Sequence, residues 1–388
     1  MRAPTDLSHK IIDIIRKVTG RPDGPIALHE PTFSGNAWQY VKDCIDTNWV
    51  SNVGKYVARF EQMLSQRTQA RHVIATVNGT AALHVCLLLA GVKADDEVLI
   101  PALTFVATAN AAAYCNAVPH FVDVDRETMG VCPVKLRRYL DQIAEKRDGC
   151  SCNRQTGRPL RALIVMHCFG HPAHLDELKK VCDDFGIVLI EDAAEAVGSL
   201  YHGKHVGNHG LMSMLSFNGN KTITTGGGGA ILTNDDALAD RARHLTTTGK
   251  LPHDWEYYHD CVAFNYRMTN LNAALGCAQL ETLNEFLERK RLLAWRYQEL
   301  FSGIDAISFL PEPAGSQSNY WLSAIMVNSH SRADRDQLLN DLNADGIRAR
   351  PAWHLLNDLP MFKECPSDSL TESELINASL INLPSSPL

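Results

Sequence analysis

Few of the usual quick answers are available in this 388-residue sequence. Its apolar runs, such as Ala81 to Ala90 and Ala162 to Met166, fall short of the roughly 20 residues that a membrane-spanning helix needs. No charged start followed by an apolar core and a small-residue cleavage site opens the chain, so secretion is not expected. Positive charge is not in excess: 37 Lys and Arg against 44 Asp and Glu leave a net charge of −7, without long blocks of one sign. That balance excludes a dedicated nucleic-acid binder, which needs a basic patch. The 11 cysteines show no disulfide framework; Cys86, Cys115, Cys168, Cys182 and Cys277 sit inside apolar runs, where a free thiol behaves as a small hydrophobe. A reducing, cytoplasmic location is the expectation. Motifs are missing too. No GxGxxG opens a helix after a strand, and Gly226 to Gly229 precedes a strand instead. Gly219-Asn220-Lys221-Thr222 lacks the Gly-Lys pair of a phosphate-binding loop, and neither HExxH nor CxxC occurs.

What is present is an alternation. Short apolar strands at His72–Val77, Glu97–Thr104, His120–Val124, Leu163–Phe169, Ile187–Glu191, Met212–Phe217 and Ala230–Thr233 are separated by helical patterns. Those patterns include Thr80–Gly91, Ala107–Asn116 and Leu175–Phe185. Strands rich in Val, Ile and Leu at every position belong to a mainly parallel sheet covered on both faces, an α/β domain. A long helical pattern from Leu271 to about Leu300 leads into strand Trp321–Val327, helix Asp334–Leu342 and a short strand Ile347–Ala349, an α+β segment. The expected division is an N-terminal extension at 1–27 (helix Ser8–Val18), a large domain at 28–284 and a small C-terminal domain at 285–388. Asp148 to Pro159 reads as a polar loop.

Two histidine groups, His167/His171/His174 and His202/His205/His209, have spacings that can hold zinc. Gly170 and Pro172 break any helix that would align the first group, and no metal site is expected. A better constellation is Asp192, Ser216 and Lys221. Asp192 ends one strand, Ser216 ends another, and Lys221 follows in Asn218-Gly219-Asn220-Lys221. A lysine amine can add to a carbonyl, and pyridoxal phosphate (PLP) needs such a lysine together with a carboxylate for its ring nitrogen. Its phosphate needs donors, which Gly79-Thr80 at a helix start and the Ser216 hydroxyl offer. Phe105 is placed to cover the ring. Each residue alone has an ordinary reading: Asp192 as cap of a helix Ala193–Gly198, Lys221 as a surface lysine, Gly79-Thr80 as a plain helix start, Phe105 as core. Their shared place at one end of the sheet favours the joint reading.

The ordered motifs Asn48–Gly54, Asn78-Gly79-Thr80-Ala81-Ala82-Leu83, Pro101–Asn110, Glu191-Asp192-Ala193-Ala194-Glu195, Ser216–Lys221 and Asn265-Tyr266-Arg267-Met268 resemble the DegT-type nucleotide-sugar aminotransferases, a fold-type I PLP family. The resemblance runs from about Leu28 to the C-terminus and implies a seven-stranded, mainly parallel sheet in the large domain. It implies Lys221 as the lysine that binds the cofactor covalently, Asp192 on the ring nitrogen and Phe105 stacked on the ring. It also implies Gly79, Thr80 and Ser216 on the phosphate, and Asn265 reaching the phosphate of a partner subunit in a homodimer with shared sites. Glu195 stands where many members carry glutamine against the ring hydroxyl. Relatives that act as dehydratases replace the lysine with histidine, so Lys221 points to transamination. Leu28–Asn36 and Arg350-Pro351-Ala352-Trp353 look most like the legionaminic-acid branch, which implies glutamate as amino donor and a UDP-linked 4-keto-6-deoxy-N-acetyl sugar as acceptor.

Overall fold

A computed structural model describes residues 5–147 and 149–387. Seven strands form the central sheet: β1 His72–Thr76, β2 Glu97–Pro101, β3 Val118–Val122, β4 Leu160–Met166, β5 Val188–Asp192, β6 Met212–Ser216 and β7 Gly229–Thr233. Their order is β1-β7-β6-β5-β4-β2-β3, and β7 alone runs antiparallel to its neighbours. The period of two in each strand feeds two separate cores. Leu99, Leu163, Leu189 and Leu215 point to one face, and Val98, Ile164, Ile190 and Met214 to the other, all buried. That is why these strands are apolar at nearly every position.

Helix α1 (Asp6–Thr19) puts Ile11, Ile12, Ile15 and Val18 into a cluster with Leu293, Tyr297 and Phe301 of the 32-residue helix α3 (Asn270–Phe301). Each such buried side chain is worth about 1.5–3 kcal/mol, so α1 is anchored to the C-terminal part of the chain. Between them α2 (Gly79–Leu89) follows β1. The second sheet has the order β8-β9-β11-β10, with β8 Ile307–Phe309, β9 Ser323–Val327, β10 Arg350–Pro351 and β11 Leu380–Leu383. It carries α4 (Arg332–Ala344) and α5 (Thr371–Ser379).

Three local expectations change. The strand expected at Ile347–Ala349 starts at Arg350, where pairing with Asn382 begins; Ile347 makes only an isolated bridge to Ile26. The stretch expected as a loop from Asp148 is partly a hairpin, Ala144–Arg147 against Cys150–Asn153, turning at Gly149 with φ +82°; Asp148 itself lies outside the described residues. No helix covers Ala193–Gly198. Asn319 Nδ2 donates to the carbonyls of Glu195 and Val197, both 2.9 Å, taking acceptors that a helix would use. Among the described residues no helix is long and apolar enough to cross a membrane, and all eleven cysteines are free.

Candidate active site

The carboxyl ends of β1, β5 and β6, together with the loop after β2, surround a cavity of about 310 Å³. Gly79, Thr80, Phe105, Asp192, Glu195, Ser216 and Lys221 all line it. Asp192 is the last residue of β5 and is buried. Its Oδ2 accepts from the Thr108 hydroxyl at 2.8 Å and its Oδ1 from the Ala194 N–H at 3.1 Å. Burial pushes this carboxyl above the usual range, against the pull of those two donors and of Lys221. A cationic ring nitrogen placed beside Asp192 would remove that cost. With no helix to cap, Asp192 has lost its ordinary explanation.

Lys221 sits in the loop after β6, its Nζ 4.1 Å from the centroid of the Trp321 ring and 3.3 Å from Glu195 Oε1. Glu195 is also buried, with Oε2 accepting the Phe169 N–H at 2.8 Å. Burial raises its carboxyl to about 7, opposed chiefly by Lys221. A group that holds its proton near neutrality can act as donor or acceptor to a ring hydroxyl, the capacity that glutamine would otherwise supply there.

The phosphate end is built by close approach. Asn78 caps α2, its Oδ1 accepting from Ala81 N–H at 2.8 Å and its carbonyl from Ala82 N–H at 3.2 Å. The Gly79 and Thr80 N–H groups of that first turn have no protein partner among the described residues. A helix N-terminus with free donors suits a dianion. A Cβ on Gly79 would lie 3.1 Å from Ser216 Cβ, so glycine lets α2 begin against the end of β6. Phe105 stands at the rim, half exposed, and is not the core aromatic that composition alone would suggest. The carboxylate, amine, anion cradle and aromatic rim fit PLP.

Asn265 is elsewhere. It is exposed, bridges Thr247, and does not line the cavity of its own chain. The histidine groups do not converge on a metal geometry either. His167 accepts the Ala173 N–H through Nδ1 and donates through Nε2 to Glu191 at 3.1 Å. Burial alone would raise the Glu191 carboxyl, but His167 and the Gly210 N–H hold it at about 2. His205 Nε2 accepts the Gly198 N–H at 2.9 Å, and His171 packs edge-on to Tyr320. Among the described residues only His244, Asp260 and Cys261 bring three metal-type ligand atoms together, and none belongs to either histidine group.

Four site residues were given no role by sequence reasoning, although Thr108 and Trp353 lie inside the motifs Pro101–Asn110 and Arg350-Pro351-Ala352-Trp353. Thr108 orients Asp192, Trp321 lies under Lys221, Trp353 closes the cavity, and Asn319 ties the C-terminal segment to the Glu195 turn. The run Ser318-Asn319-Tyr320-Trp321, polar and aromatic just ahead of β9, was the available signal.

Comparison with known proteins agrees with this geometry. Residues 32–388 match the DegT/DnrJ/EryC1/StrS aminotransferase family. The chain is 35% identical over 363 residues to GDP-perosamine synthase of Vibrio cholerae, covering 93% of this chain and 94% of that one. It is 37% identical over 338 residues to the putative pyridoxal phosphate-dependent aminotransferase EpsN of Bacillus subtilis, covering 87% and 84%. The crystal structure of the aminotransferase TlmJ from Streptoalloteichus hindustanus superposes with a TM-score of 0.84 at 27% identity, over 93% of this chain and 94% of that one. The chain therefore belongs to the DegT/DnrJ/EryC1/StrS aminotransferase family, and is a PLP-dependent aminotransferase of fold type I.

Proposed function

We propose that the enzyme moves an amino group from glutamate to a nucleotide-linked keto sugar, for a bacterial surface polysaccharide or nonulosonic acid such as legionaminic acid. The observation that carries the reading is the convergence of Lys221, Asp192 and the open first turn of α2 on one cavity. Bound PLP supplies a carbonyl that carries the amino group and a ring that takes up the electron pair left when a C–H bond breaks. The chain does the rest. Asp192 holds a proton on the ring nitrogen, and Thr108 fixes the carboxylate that does so. Glu195 meets the ring hydroxyl, Phe105 covers one ring face, and Gly79, Thr80 and Ser216 hold the phosphate. Lys221 binds the cofactor at rest; once displaced, its amine takes and returns the proton at the carbon bearing the amino group. Glutamate enters and 2-oxoglutarate leaves before the keto sugar enters, so the kinetics are ping-pong.

A homodimer with shared sites is part of the proposal. It is supported by the place of Asn265 outside its own cavity and by a neighbouring loop that exposes Trp255 at 76%, Tyr257 at 80% and Val262 at 93%. We read the acceptor as a UDP-linked 4-keto-6-deoxy-N-acetylhexosamine. A GDP-linked sugar is the second reading, favoured by the likeness to GDP-perosamine synthase. The large domain at 28–284, the small domain at 285–388 and a cytoplasmic location complete it. The test is a panel of UDP-, GDP- and TDP-linked 4-keto sugars with glutamate, followed by 2-oxoglutarate release and mass of the sugar product. Amination of none of them, in a protein that glutamate does convert, would refute the sugar acceptor.

A further inference from the structure

A second cleft, of about 600 Å³, opens beside the cofactor cavity, and Asn220, Trp321 and Trp353 line both. Its outer wall comes from the C-terminal sheet and its helices. Arg332 and Arg335 lie in the first turns of α4, and Arg350 on β10 is paired in register with Asn382 on β11. Three guanidinium groups therefore face one carboxylate, Asp336. That carboxylate is already engaged. The buried Arg335 holds Asp336 Oδ1 through Nε at 2.7 Å and the Asn377 carbonyl through Nη1 at 2.6 Å, which makes it part of the frame. Arg332 spends one nitrogen on Asn377 Oδ1 at 2.8 Å. Arg350 is exposed, and its guanidinium has no hydrogen-bond or ion-pair partner among the described residues. Asn382, 3% exposed, leaves its Oδ1 buried and unpartnered at the same cleft.

From these positions we infer that the cleft holds the diphosphate of the nucleotide-linked acceptor, with Arg350 and Arg332 as its principal donors. The inference rests on the acceptor class proposed above and adds where its charge is held. The unengaged Arg350 fork, with the remaining donors of Arg332 beside it and the local carboxylate neutralised, suits a phosphate that accepts two parallel N–H bonds. The spacing suits it as well. In a nucleotide sugar the diphosphate lies one sugar ring away from the reacting carbon, and here the two tryptophans form the stretch between Lys221 and the arginines. Glutamate is too short to need a compartment of this size beyond the first cavity.

The test uses the holoenzyme, titrated calorimetrically with inorganic pyrophosphate, UDP and GDP. Wild type is compared with Arg350→Gln, Arg332→Gln and the exposed charge-matched control Arg296→Gln on α3. At least one nucleoside diphosphate should bind, with a dissociation constant raised about tenfold or more by Arg350→Gln and several-fold by Arg332→Gln, but not by the control. Arg350→Lys, which keeps the charge and loses the fork, should recover part of the loss. The KM for the keto sugar should rise in step, while that for glutamate holds. Unchanged diphosphate affinity in both cleft variants would overturn the inference, as would a rise in the glutamate KM alone. Bleaching of the cofactor by glutamate reports the reaction class separately. Bleaching without diphosphate binding overturns the cleft assignment only; diphosphate binding without bleaching overturns the proposed amino donor only.

Discussion

Replacing Glu195 by glutamine keeps the shape of the side chain and removes a buried titration. In the folded chain burial lifts this carboxyl from 4.5 to about 7. A folded-state pKa above the unfolded one favours the folded chain at low pH, and that contribution is lost as pH rises through the folded pKa. At about 1.4 kcal/mol per unit the whole span is worth about 3 kcal/mol. Most of it, about 2–3 kcal/mol, falls between pH 5 and pH 8, because at pH 5 the unfolded carboxyl is already mostly ionised. Glu195→Gln has no such dependence. The stability of the cofactor-free variant relative to wild type should therefore grow by about 2–3 kcal/mol from pH 5 to pH 8. The assay is equilibrium urea unfolding of both cofactor-free proteins at the two pH values, compared as a difference of differences so that other titrating groups cancel. A gap that stays constant within about 0.5 kcal/mol would show that Glu195 is not held near neutrality by burial.

Two other outcomes follow from the site. Asp192→Asn should keep the cofactor yet slow the single-turnover bleaching by glutamate about a hundredfold or more, because the carboxylate that holds the ring-nitrogen proton is gone; a rate near wild type would reduce Asp192 to a structural acceptor for Thr108. Mixing inactive Lys221→Ala chains with inactive Asn265→Asp chains should restore part of the activity, since one site of each mixed dimer has both residues intact. No recovery despite demonstrated subunit exchange would refute a shared site.

Much of the large sheet was legible because strands buried on both faces have to be apolar throughout, and Leu99, Leu163 and Leu189 mark that plainly. Asp192, Ser216 and Lys221 were legible for a related reason: each is polar and stands at or just past the end of an apolar strand. The residues that escaped reading act across long sequence separations. Asn319 meets the Glu195 turn from 124 positions away, and no local pattern announces that it will displace a helix from Ala193–Gly198. Trp321 reads as the start of a strand and only the fold places its ring under Lys221. Arg350 reads as one half of an Arg-Pro motif, and that its guanidinium has no partner among the described residues emerges only when the neighbouring charges are located. The register of β10 shows the same limit, since pairing with Asn382 rather than local propensity sets its first residue.

The proposed chemistry requires Lys221 to be the amine that carries the cofactor. Borohydride reduction of the yellow holoenzyme, followed by peptide mapping, reads out that amine. The label should lie on Lys221 in wild type, and Lys221→Ala should fold, bind PLP without a covalent bond and yield no labelled peptide. A labelled peptide from any other lysine, or covalent labelling that survives Lys221→Ala, would show that another amine holds the cofactor.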